Sequence, residues 1–209
     1  MWNFNLEVPV YGLQEELSMA FRTKTPDFVW NDIMVPPTTQ RIGVVAPTLG
    51  LGFRGDNTFQ KLTFAANQAD EVQFIVQFPH DMALNSILRP HVHFTFEDSV
   101  ADGDYTIDFV LKYYWANIEE VFPASSSTYT MTYSFKEGEN PATYTHLIAS
   151  GTNLTMNKGI SSIMVCRLYR DNLTYAKTNL PYPITMLGFD IHYQIDSMGS
   201  EHELSKKIV

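Results

Sequence analysis

The sequence is short of charge: only 18% of its 209 residues are Asp, Glu, Lys or Arg, against about 25% in an ordinary soluble domain. Basic residues are the scarcest, 14 Lys and Arg against 23 Asp and Glu, for a net charge of −9. Nucleic-acid affinity rests on clustered Lys and Arg that neutralise phosphates, so no nucleic-acid partner is expected. Cysteine is nearly absent. Cys166 alone excludes an intramolecular disulfide, and its apolar surroundings predict a buried, inert thiol. No stretch approaches the roughly 18 apolar residues of a membrane span. Met1 is followed by Trp2-Asn3-Phe4-Asn5 rather than a basic segment and an apolar core, so neither a membrane partner nor a cleaved export signal is expected. Gly-x-Ser-x-Gly, His-Glu-x-x-His and P-loop patterns are also missing. The expectation is a protein that is not an enzyme and carries no cofactor.

What the chain has in quantity is sheet-forming material, 44% hydrophobic and 13% aromatic. A length of 209 residues fits one large β domain. Residues 1–58 differ from the rest: Pro9, Pro26, Pro36, Pro37 and Pro47 punctuate them, and Gly50, Gly52 and Gly55 follow. They read as an extended arm. Leu13, Leu17 and Phe21 recur at helical spacing within it, predicting a short helix over 12–22 whose apolar stripe serves as an interface.

From Phe59 the period becomes two. Val72, Phe74, Val76 and Phe78 alternate with more polar residues, as do Ile107, Phe109, Leu111, Tyr113 and Trp115, and then Leu187, Phe189, Ile191, Tyr193 and Ile195. Eight runs of this kind fall near 59–65, 71–78, 90–97, 104–115, 128–136, 143–150, 160–170 and 185–196. Asp102-Gly103-Asp104 and Lys136 to Pro141 supply turn chemistry between them. The predicted fold is all-β, an antiparallel β-sandwich of jelly-roll type over residues 59–200, with a tail at 201–209.

The distinctive strand is Arg89-Pro90-His91-Val92-His93-Phe94-Thr95-Phe96-Glu97. Alternation places His91, His93, Thr95 and Glu97 on one face and Val92, Phe94 and Phe96 on the core face. Two imidazoles and a carboxylate are metal-ligand chemistry, so His91, His93 and Glu97 are the set a metal would use. Their spacing resembles the first metal motif of the cupins, without its leading glycine and without a second motif around His146 or His192. The reading adopted is no metal: His91 and His93, like Asp190 and His192 on the last strand, belong to a covered interface, with Glu97 or main chain as hydrogen-bond partner.

Several segments, in order, resemble a family of tailed-phage virion structural proteins found in environmental phages. They are Trp30-Asn31-Asp32 with Val35-Pro36, Val76 to His80 leading to Arg89-Pro90-His91-Val92-His93-Phe94, Tyr114 to Phe122, Ile160 to Asp171, and Phe189 to Ser200. Phe94 stands where the family usually has tryptophan, and the loop Asp81 to Ser86 departs from the family's Lys/Gly-rich one. The resemblance implies a jelly-roll homotrimer in the virion, assembled in the host cytoplasm, with the major capsid protein or other virion proteins as partners. The leading expectation is a capsid decoration (cement) protein anchored through residues 1–58. The alternative is a tail-associated or head-fibre protein binding host-surface glycan through Tyr129, Tyr133 and Tyr144. A cupin-like metalloenzyme is the third reading.

Overall fold

The computed structural model describes residues 29–36, 41–171, 181–196 and 198–200. Its elements are β1 (Val29–Val35), β2 (Arg41–Ile42), β3 (Thr48–Phe53), β4 (Asp56–Phe64), β5 (Glu71–Gln77), β6 (Ile87–Thr95), β7 (Tyr105–Ala116), β8 (Ser127–Phe135), β9 (Leu147–Ser150), β10 (Leu154–Thr155), β11 (Ile163–Asp171) and β12 (Ile184–Ile195). Among the described residues every element is a strand, and every ladder is antiparallel. The hydrogen-bonded order is β2-β5-β11-β7-β8-β9-β6-β12-β4-β3, with β1 added on β12 and β10 on β6.

This path folds over on itself into two layers. The layer β5-β11-β7-β8 faces the layer β6-β12-β4, and rings from the two interlock: Phe74 on Phe189 at 4.8 Å, Phe64 on Phe109 at 6.2 Å and Phe94 on Phe109 at 5.8 Å. Tilted and edge-to-face pairs at these separations add to the burial of the rings themselves. One edge is closed by β9, which pairs with β6 and meets β8 at Thr132 and Ser150. The fold class is the expected one, an antiparallel jelly-roll-type β-sandwich.

Each of the eight predicted runs contains a strand, the one near 143–150 only over Leu147–Ser150, and the core faces named from alternation hold with one exception. Leu187 is 36% exposed while Met186 is buried. A bulge between Met186 and Gly188 inserts an extra residue against β6, which reverses the side-chain parity of β12 at that point. Pro90 sits inside β6 without spoiling a ladder, because β9 pairs with residues 91–94 and β10 with 87–88, leaving Pro90 in the gap between them.

The arm expected to run to Thr58 is corrected over its described part. Val29–Val35 is an edge strand on β12, and Thr48–Phe53 forms a hairpin with β4. Arg54 and Gly55, at φ of 53° and 86°, make its two-residue turn, which matches the twist of the flanking strands. Arg in place of Asn or Asp hides that turn from a sequence reading, and Gly50 and Gly52 break the apolar alternation. The predicted helix over 12–22, with Leu13, Leu17 and Phe21, lies outside the described residues.

Candidate functional site

Three strands bring polar side chains to one outer face. On β6, His91 and His93 point away from the core because Val92 and Phe94 point into it. On β12, Asp190 lies directly across from His91, and on β1, Asp32 lies across from His192. Directly opposed residues share a face, so β6, β12 and β1 present His91, His93, Asp190, His192 and Asp32 side by side. His146, just before β9, joins them.

The contacts form a chain. His146 Nε2 is 2.7 Å from His93 Nδ1. His93 Nε2 is 3.0 Å from Asp190 Oδ2, and the same oxygen is 3.4 Å from His192 Nε2. His192 Nε2 continues to Asp32 Oδ1 at 3.2 Å. Asp32, Asp190 and His192 converge so that one ligand atom from each lies within 4.8 Å of the others. His91 stacks on the His192 ring at 4.4 Å between centroids, and its Nδ1 is 2.9 Å from Ser150 Oγ. Burial first, and then the neighbouring His192 charge, hold the His91 imidazole below its ordinary pKa.

The cluster is incompletely satisfied. Asp190 is only 4% exposed, and its Oδ1 has no hydrogen-bond partner. The Nε2 atoms of His91 and His93 are buried and have none either, so the approach of His93 to Asp190 is a contact without hydrogen-bond geometry. Buried polar atoms left this way cost free energy unless a partner supplies what water did.

The structure brings His91, His93, Asp190 and His192 together and separates Glu97 from them. Glu97 lies beyond the end of β6, where it pairs with Lys61 at 2.6 Å and accepts a hydrogen bond from Thr185 Oγ1. His91, His93 and Glu97, the set a metal on this strand would have used, are therefore not brought together. Shared parity does not bring them together, because Glu97 is four residues past His93 and has its own cation. The partner expected for the histidines is corrected as well: Ser150 and His146 take that place. Asp32 was legible only as part of a resemblance segment, and His146 lacked any motif around it. A strand pattern over 29–35 is the signal that would have found Asp32, and the flanking Pro26, Pro36 and Pro37 mask it.

The aromatic platform expected at Tyr129, Tyr133 and Tyr144 is also corrected. Tyr129 is 8% exposed and donates its hydroxyl to the carbonyl of Thr152. Tyr133 lies on β8 packed edge-on against Phe94, and Tyr144 takes the edge of Phe53 with Arg54 over its ring. A second imidazole site joins His80 to Ser161 Oγ and Ser200 Oγ, each at 2.8 Å. Ser161 holds a left-handed φ of 57°, but it is 7% exposed. The pair ties the loop after β5 to the start of β11.

No protein-family model matches the chain, and no curated protein does. Among solved structures it is similar to the CBM35 module from Cellvibrio japonicus, with 10% identity, a TM-score of 0.42, and coverage of 77% of this chain and 92% of that one. It is similar to Xyl-CBM35 in complex with a disaccharide containing glucuronic acid, with 9% identity, a TM-score of 0.41, and coverage of 85% and 99%. It is also similar to a structure of infectious bursal disease virus, Gt strain, with 11% identity, a TM-score of 0.24, and coverage of 74% and 39%. Similarities of this size carry no conclusion about what this chain binds.

Proposed function

We infer that this chain is a non-catalytic structural subunit of a tailed-phage virion, a homotrimeric decoration protein whose partners are its own copies and the capsid shell. The observation that carries the reading is an apolar row on the outer face of the β5-β11-β7 layer. Ile75, Val165 and Tyr114 lie directly opposite one another across three strands and are 58%, 40% and 38% exposed. Leu49, Leu51 and Phe59 on the β3–β4 hairpin, which belongs to the opposite layer, are exposed separately from this row. Single exposed apolar residues need no explanation, whereas a contiguous row marks an interaction surface. The ordered sequence segments support the virion setting, and low overall charge suits a large permanent interface.

Light scattering on the purified chain tests self-association. The expected mass is three times the 23.8 kDa of one chain, with Val165→Glu shifting it to the single-chain value. A wild-type monomer at micromolar concentration overturns the homotrimer. For the shell contact, deletion of residues 1–26 is expected to release the protein from particles while the sandwich stays folded. Full occupancy by the truncated chain overturns that attachment.

A further inference from the structure

The histidine and aspartate cluster has the makings of a cation site. Two carboxylates, Asp32 and Asp190, converge on His192, and His93 approaches Asp190 from the other side. Asp190 is buried, its Oδ1 makes no hydrogen bond, and the His93 Nε2 that lies 3.0 Å from its Oδ2 makes none either. A buried carboxylate is stable when paired with a cation or a metal.

The spacing suits a specific kind of ion. Bonds of about 2.0–2.1 Å at tetrahedral angles put neighbouring ligand atoms about 3.3 Å apart. The two contacts within the converging trio measure 3.4 and 3.2 Å, and all three of its ligand atoms lie within 4.8 Å of one another. Imidazole with carboxylate is the donor mixture of zinc and its neighbours in the first transition row, and a soft all-sulfur or hard all-oxygen ion fits less well. His93, 3.0 Å from Asp190 Oδ2 and held at Nδ1 by His146 at 2.7 Å, belongs to the outer shell that positions a ligating carboxylate.

We propose that Asp32, Asp190 and His192 hold one divalent first-row transition-metal ion per chain, of the zinc class, with water completing its shell, and that this ion staples edge strand β1 to β12. β1 gives Asp32 and β12 gives Asp190 and His192, while His93 on β6 stands beside them, 3.0 Å from Asp190 Oδ2. The site is structural, because the ligands come from ladders whose register is already set and the ion adds a cross-link between them. It is separate from the apolar row, so self-association and metal binding stand or fall independently.

The experiment is zinc titration of the full chain after chelator treatment, followed by calorimetry, metal analysis and thermal unfolding. One zinc per chain and a higher melting temperature with zinc are expected. Asp32→Asn and His192→Ala alter partly exposed positions and are expected to retain the wild-type circular dichroism spectrum. Each should weaken zinc by about tenfold or more, since residues that merely orient zinc ligands already contribute roughly 10–100-fold. Glu97→Gln should bind zinc as the wild type does. The proposal is overturned by a wild-type chain that takes up no zinc, by unchanged affinity in both ligand variants, by loss of binding in Glu97→Gln, or by one ion per three chains.

Discussion

The Nε2 of His192 lies 3.2 Å from Oδ1 of Asp32, joining the last strand of the sandwich to the first described one. That contact sits midway along the β1–β12 ladder, which runs from Val29 opposite Ile195 to Val35 opposite Phe189. β1 is largely exposed and reaches the core chiefly through Val35 and the partly buried Ile33. The polar row on its outer side therefore contributes to its attachment along with the ladder itself. On the other face of β1, Asn31 adds to the attachment by donating Nδ2 to the Tyr193 hydroxyl at 2.8 Å.

Tyr193 makes stability depend on pH at the alkaline end. Its hydroxyl donates to Asp81, and burial first, then that carboxylate, raise its pKa from 10.0 to about 12. A group whose pKa is raised by folding contributes stability that is complete below the unfolded value and is lost as pH climbs through the folded one. Urea midpoints should therefore fall between pH 10 and about 12. Tyr193→Phe should fall less steeply over the same window, and identical slopes would show that Tyr193 does not ionise differently on folding.

Arg170 is expected to be among the costliest positions to change. It is 2% exposed, and its Nη1 donates to the carbonyls of Ala65 at 3.2 Å and Tyr182 at 2.8 Å. Buried Asp70 is its Coulombic counterpart, opposing the burial that lowers the guanidinium pKa to about 10. Arg170→Met fills the space but leaves the carbonyls of Ala65 and Tyr182 without this donor and removes the charge facing Asp70, a loss of about 1–3 kcal/mol for each unpaired buried group. Urea unfolding measures this, and a loss under about 0.5 kcal/mol would mean that solvent replaces the guanidinium.

Gly151 follows β9 at the edge where the two layers join. A Cβ there would overlap the carbonyl oxygen of Thr130 and the Tyr129 ring, so the backbone approach itself requires glycine. Gly151→Ala should destabilise by about 1–3 kcal/mol, the range for overpacking a well-filled site. Thermal unfolding reads the change, and the loss should be smaller in Gly151→Ala combined with Tyr129→Leu. An unaltered melting temperature in the single variant would mean that the edge relaxes freely.

Much of the architecture was legible because alternation is a local property. Val72, Phe74 and Val76, or Ile107, Phe109 and Leu111, declare a strand and its core face from spacing alone, and all are buried. Where local spacing is interrupted, legibility ends. Proline on either side conceals β1, glycine within β3 conceals the hairpin, and the bulge beside Leu187 reverses a parity that the sequence shows as continuous.

The site divides in the same way. The sequence by itself determined an antiparallel all-β chain of low charge, the two histidines on the outer face of one strand, and Asp190 with His192 on the outer face of another. Only the tertiary structure decided that β12 lies between β6 and β1, which unites those residues with Asp32, and that Glu97 goes to Lys61 instead. The reason is physical: which face a side chain occupies follows from neighbours two positions away, whereas which strands meet, and in what register, is set by core packing between segments far apart in the chain.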